Sequence, residues 1–128
     1  MARDAEGAAA IGKVFDALAD PTRRAVVEAL LTGPRRAGEL ATDVGTSPPT
    51  MSRHLRVLLD AGVVADERPP DDARTRVFRL RPESMTALQA WLDQIQAHWD
   101  EQLQAFERHV DMRTSRTSPT SRNERKPR

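Results

Sequence analysis

Residues 47–56 read Ser-Pro-Pro-Thr-Met-Ser-Arg-His-Leu-Arg, and the next carboxylate along the chain is Asp60. The stretch therefore gathers hydroxyls, two guanidinium groups and an imidazole with no acid among them. Met51, Leu55, Leu58 and Leu59 recur at i, i+4, i+7 and i+8, which is one apolar helical stripe. With that stripe buried, Ser47, Thr50, Arg53 and His54 remain outward near the helix start. Arg56 lies a little further on, and Ser52 falls between the two faces. Short hydroxyls and forked donors suit base edges and phosphate oxygens. Ser47, Thr50 and Arg53 are the expected base contacts; Ser52, His54 and Arg56 are expected on phosphate. A capped, solvated helix start would use the same residues, and His54 suits packing or capping as well as it suits phosphate.

A second basic group follows. Arg68, Arg74, Arg76, Arg79 and Arg81 flank Pro69-Pro70-Asp71-Asp72-Ala73. The residues on either side are strand-like, so Val63–Arg68 and Arg74–Leu80 are expected to form a hairpin. Alternate strand residues share a face, so Arg74 and Arg76 are expected to project together toward phosphate or a minor groove. Asp71 and Asp72 at the tip argue against deep insertion there.

These groups need a scaffold, and the rest of the chain supplies one. Ile11, Val14, Phe15 and Leu18 mark a helix over Ala8–Ala19. Asp20-Pro21 stops it and caps the next, which runs to about Leu31 with Ala25, Val26, Ala29 and Leu30 inward. Gly33-Pro34 closes that helix. A short helix over Ala37–Val44, the turn Gly45-Thr46 and a helix over Ser47–Ala61 have the spacing of a helix-turn-helix. Pro82 then opens a long helix. Its apolar residues Leu88, Leu92, Ile95, Trp99, Leu103, Phe106 and Val110 are spaced 4-3-4-4-3-4, close to a heptad seam. So long a seam favours contact with a second copy. The expected fold is mainly α with a small β-hairpin, a winged helix-turn-helix in the order α-α-α-α-β-β-α. Residues 8–113 form its one domain, between an unstructured 1–7 and an unstructured basic tail, 114–128.

Bulk composition agrees with this and narrows the function. The 128 residues contain no cysteine, which excludes disulfides, thiolate metal sites and a cysteine nucleophile. No apolar run reaches the roughly 20 residues of a membrane-spanning helix. The charged N-terminus does not read as a secretory signal. A cytoplasmic, nucleoid-associated bacterial protein is the expectation. The net charge of +1 conceals an asymmetry. Residues 114–128 are net +4; the remainder, with 15 basic and 18 acidic side chains, is net −3. A body of that sign binds DNA only by concentrating its positive charge locally.

Four blocks carry a family resemblance: Ala17-Leu18-Ala19-Asp20-Pro21-Thr22-Arg23-Arg24, Gly38-Glu39-Leu40-Ala41, Met51-Ser52-Arg53-His54-Leu55-Arg56-Val57-Leu58 and Asp60-Ala61-Gly62-Val63-Val64. Together they resemble the ArsR-type (ArsR/SmtB) winged-helix repressors, over roughly residues 10–112. The resemblance implies a homodimer formed by the first and last helices, which assigns Phe15, Leu88, Leu92, Ile95, Trp99, Leu103 and Phe106 to dimerisation. It also implies repression from a double-stranded DNA operator, often the protein's own, with release by a signal the sequence does not name.

Many members of that family sense metals, and this chain departs from them. The third-helix site of the arsenic and cadmium sensors needs cysteines, where this chain has Gly38-Glu39-Leu40-Ala41-Thr42-Asp43. The last-helix site of the zinc sensors uses two histidines eleven apart, flanked by carboxylates. His98 and His109 have that spacing, but the flanking residues are Gln96 and Met112. Eleven residues of helix span roughly 16 Å, so the pair could share an ion only across a dimer. The chain looks closer to the cysteine-free, metal-independent members of that family, and no metal or cofactor is expected.

The rival readings are weaker. A winged helix docking on protein would want exposed apolar anchors where Thr50, Arg53 and Arg56 stand. No nucleophile–base pair, phosphate loop or carboxylate pair has motif spacing, so an enzyme is not expected.

Overall fold

The computed structural model describes the backbone of residues 2–123 and the side chains of residues 7–114. Eight elements follow in order: α1 (Ala2–Leu18), α2 (Pro21–Leu30), β1 (Arg35–Arg36), α3 (Ala37–Val44), α4 (Pro48–Asp60), β2 (Val64–Glu67), β3 (Val77–Leu80) and α5 (Pro82–Asn123).

The α1–α2 corner is built from one short run. The Asp20 carboxylate accepts the backbone N–H of Arg23 at 3.0 Å, which caps α2, and Pro21 occupies the first turn where no N–H is needed. The Arg24 guanidinium donates to the carbonyls of Leu18 and Ala19, at 2.9 and 3.0 Å, and so takes up acceptors left open at the end of α1. At the other end α1 begins earlier than Ala8, and the alanines at 2, 5, 8, 9 and 10 favour that extension. Helical backbone likewise continues past residue 113, where the Thr114 hydroxyl donates to the Val110 carbonyl. An unstructured chain is the sequence expectation at both ends. Met1, residues 124–128 and the side chains of residues 2–6 and 115–123 lie outside the described residues.

Gly45 ends α3 at φ +78°, a left-handed conformation that glycine alone adopts without strain. The N–H groups of Gly45 and Thr46 both donate to the Ala41 carbonyl at 2.9 Å, which turns the chain sharply into α4.

The sheet differs from the expected hairpin. It has three antiparallel strands in the order β1-β3-β2, with Arg35 opposite Phe78 and Val64 opposite Leu80. Two-residue β1 is too short to carry an alternating pattern, and only its pairing with β3 defines it. The hairpin ladder is also shorter than Val63–Arg68 with Arg74–Leu80. It ends at the pair Glu67–Val77, because Pro69 and Pro70 beyond it have no N–H to donate.

Two units make up the chain, Met1–Gln89 and Ala90–Arg128. The first contains the core: Val14, Ala17, Val26, Leu30, Leu40, Ala41, Met51, Leu55, Leu58, Val63, Val64 and Phe78. The expected stripe of α1 is rotated. Val14 and Ala17 are buried, Ile11 and Leu18 half-buried, and Phe15 is 40 % exposed. Small Ala17 lets α1 approach its neighbours closely, and Phe15 lies on the adjoining face. In α4, Met51, Leu55 and Leu58 are buried as expected, while Leu59 is half-buried. Leu88 packs partly buried against the core. In the second unit, Leu92, Ile95, Trp99, Leu103, Phe106 and Val110 are all exposed. Among the described residues, no helix is long and apolar enough to cross a membrane.

Candidate nucleic-acid interface

Ser47 has extended backbone angles and caps α4. Its Oγ accepts the Thr50 N–H at 3.4 Å and donates to Thr50 Oγ1 at 2.9 Å, so the two hydroxyls form a pair at the helix start. Burial of Met51, Leu55 and Leu58 then sets the rotation of the helix about its axis. Ser52, Arg53 and Arg56 are exposed and Thr50 half-buried. Neither guanidinium, of Arg53 or of Arg56, has a hydrogen-bond or ion-pair partner among the described residues. Ser52 and Arg56 line a cavity of about 180 Å³ together with Arg76 and Phe78.

His54 does not join this group. Its side chain is only 17 % exposed and turns to the α1–α2 corner. Nδ1 lies 3.3 Å from Arg23 Nη1 and 3.9 Å from Asp20 Oδ2. The Arg23 N–H bonded to the Asp20 carboxyl holds it below the usual carboxylate range, and the charge of Arg23 acts the same way.

The wing arginines are mostly committed to the wing. Nε and Nη2 of Arg76 both donate to Asp66 Oδ2, at 2.9 and 2.7 Å, and its charge sits 5.0 Å from the centre of the Phe78 ring. The hydrogen bonds from Arg76 keep the Asp66 carboxyl low. Arg79 faces Glu67 at 3.8 Å, Arg81 faces Glu83 at 3.7 Å, and Arg68 donates to the Ala73 carbonyl. Asp72 is held low by the Thr75 hydroxyl and by the Arg74 N–H. The Arg74 guanidinium is exposed and has no partner among the described residues. Since β3 begins at Val77, Arg74 and Arg76 do not share a strand face as the sequence suggests.

Sequence reasoning overlooked Arg23, Arg35 and Arg36. Arg35 ties α2 to α3 through the Ala29 carbonyl, the Thr32 hydroxyl and Asp43. Arg36 lies in β1 beside the wing, close enough for its charge to lower Asp72. No local pattern announces these contacts; Arg23 and His54, for example, are 31 residues apart.

His98 and His109 are exposed on α5, and no group of three or more His, Cys, Asp or Glu side chains suited to a metal gathers among the described residues. With Gln96 and Met112 at the flanks and no thiols in α3, the donor set fits neither metal site of the sensor proteins.

Known proteins of the same build supply a comparison. The profile of the family described as bacterial regulatory protein, arsR family, matches residues 20–66. The HTH-type transcriptional regulator Rv2034 of Mycobacterium tuberculosis is 41 % identical over 99 residues, 77 % of this chain and 87 % of that protein. The crystal structure of an ArsR family transcriptional regulator, RHA00566, matches with a TM-score of 0.63 at 35 % identity, over 71 % of this chain and 91 % of that one. The solution structure of a homodimeric winged helix-turn-helix DNA-binding domain, Mb0332 of Mycobacterium bovis, matches with a TM-score of 0.58 at 25 % identity, over 79 % and 88 %.

Proposed function

Because this chain belongs to the bacterial ArsR family of regulatory proteins, we propose that it is a transcriptional repressor that binds a dyad operator as a homodimer. One observation carries the reading. The exposed side of α4 presents the hydroxyls of Ser47 and Thr50 and the guanidinium groups of Arg53 and Arg56, which are unpaired among the described residues, with no acid before Asp60. A charge left unpaired in the free protein keeps its full capacity for phosphate or guanine.

Ser47, Thr50 and Arg53 lie toward the N-terminal end of α4, the end that reaches base edges when such a helix enters a major groove. Ser52 and Arg56 flank them for phosphate. Arg74 adds a phosphate contact from the wing, whereas Arg76 serves by fixing the wing to Asp66. Two copies joined through Phe15 of α1 and the stripe Leu92, Ile95, Trp99, Leu103 and Phe106 of α5 would present two α4 helices to half-sites about 34 Å apart. Residues 8–113 form the working unit. A bound dimer blocks transcription by occupying its site, in the bacterial cytoplasm, by binding rather than by catalysis. Docking on a protein instead finds little support, since Val57 is the one large apolar side chain exposed on α4.

The test is selection of bound duplexes from a random library, run with added zinc and again with chelator. The expected result is one dyad motif, the same under both conditions, with affinity falling steeply as salt rises. Recovery of no motif would refute sequence-specific binding. A motif obtained only with zinc would refute the metal-independent reading.

A further inference from the structure

Arg23 makes more contacts than a surface arginine needs. Its Nε donates to the Ala17 carbonyl at 2.6 Å and its Nη2 to the Asp16 carbonyl at 3.2 Å, both at the end of α1. Its Nη1 lies 3.3 Å from Nδ1 of His54, in the middle of α4. Its own backbone N–H is held by the Asp20 carboxylate, which also lies 3.9 Å from the His54 ring. One side chain, rooted in α2, thus joins the last turn of α1 to the helix that carries Arg53 and Arg56.

The chemistry of the contact is directional. A guanidinium has donors only, so Nδ1 of His54 must be the acceptor and the ring proton resides on Nε2. The Ala17 carbonyl has no donor at i+4, where Pro21 stands, and the Asp16 carbonyl holds only a long 3.3 Å bond from the Ala19 N–H, so both have capacity for the other nitrogens. The Asp20 carboxylate balances the charge of the cation it helps to place. A lysine could supply one of these bonds but not the planar fork that makes all three.

We propose that Arg23 is a positioning residue for the DNA-reading helix. It braces His54 of α4 against the end of α1, so that the helix bearing Phe15 and the helix bearing Arg53 keep one fixed relation. The inference rests on the operator-binding reading and extends it. In a dimer joined partly through α1, this brace sets the separation of the two reading helices, and with it the tolerated spacing of the half-sites.

Two measurements on the full chain test it. The first needs no DNA: amide hydrogen exchange of Met51–Leu55 in Arg23→Ala and Arg23→Lys, with Leu30 as the reference. Exchange in α4 is expected to quicken by about tenfold relative to Leu30 in Arg23→Ala. The second uses the duplex selected by the wild-type protein and versions with one base pair added or removed between the half-sites. Arg23→Ala and His54→Ala are each expected to weaken binding to the selected duplex about tenfold and to discriminate less among the spacings. The double variant should be no weaker than either single one. His54→Asn, which keeps an acceptor at the δ position, should bind within about threefold of wild type, and His54→Gln should behave like His54→Ala. Dimerisation should stay unchanged throughout. Unchanged exchange in Arg23→Ala would overturn the proposal. So would strictly additive losses in the double variant, or an equal loss on a scrambled duplex, which would mark Arg23 as a general phosphate contact. If the wild-type protein binds no duplex at all, the operator reading falls, and the exchange measurement still decides whether the brace exists.

Discussion

The apolar stripe of α5 offers a large and directly measurable consequence. Trp99 is 60 % exposed in the single chain, and Leu92, Ile95, Leu103, Phe106 and Val110 beside it are 41 to 65 % exposed. A tryptophan presents roughly 250 Å², so roughly 150 Å² of Trp99 is open to burial by a second copy. At about 25 cal/mol per Å² that burial stabilises by about 4 kcal/mol per chain. A symmetric dimer counts the residue twice, but packing is imperfect, association has its own entropic cost and alanine retains the Cβ. A loss of about 2–4 kcal/mol for the dimer is therefore expected from Trp99→Ala, or roughly 30- to 1,000-fold in its dissociation constant. Sedimentation equilibrium over a dilution series reads that constant directly, with Glu101→Ala on the other side of the helix as control. Circular dichroism confirms that the variant remains helical. A dissociation constant within threefold of wild type in a folded Trp99→Ala protein would refute the assignment of this stripe to dimerisation.

Other consequences are equally specific. Arg53→Ala should cost about 1–3 kcal/mol on the selected operator and relax the preference at one base position, whereas Arg56→Ala should weaken all duplexes alike and reduce the salt slope by about one; anisotropy titrations at several salt concentrations separate the two, and a reversed pattern would exchange their roles. Ser47→Ala removes the α4 cap and should lower stability by about 1 kcal/mol in urea unfolding, with no effect if the 3.4 Å bond to Thr50 contributes nothing. Phe78→Ala empties a site that is 2 % exposed where β3 meets the core and should cost about 3–5 kcal/mol in the same assay; a loss below about 1 kcal/mol would mean that the wing does not depend on it. Asp20, Asp66 and Asp72 titrate below their ordinary range in the folded chain, so the stability they confer is present above about pH 4 and disappears as pH falls through those lowered values. Arg76→Ala should therefore move the midpoint of acid unfolding to higher pH, and an unchanged midpoint would deny the Asp66–Arg76 pair any role in stability.

The helices could be read from the chain because their signals are local. Asp20-Pro21 and Ser47-Pro48 start α2 and α4, Gly45 stops α3, and the stripe Met51–Leu55–Leu58 fixes which side of α4 is buried. Capping and periodicity act within a turn or two, so residue types alone locate Arg53 and Arg56 on the outer side. The short strand β1 escaped notice because two residues carry no period, and only Phe78 and Val77 across the ladder define it. The rotation of α1, which buries Ala17 and turns out Phe15, depends on how closely its neighbours approach. The arginines divide in the same way. Their number is plain in the chain, but which of them remain available for DNA is not. Asp66 takes Arg76, the end of α1 and His54 take Arg23, and Arg53, Arg56 and Arg74 are left unpaired among the described residues. Each of those pairings is a matter of a few ångströms between side chains and carbonyls of different elements, 6 residues apart for Arg23 and Ala17 and 31 for Arg23 and His54, and only the tertiary structure brings them that close.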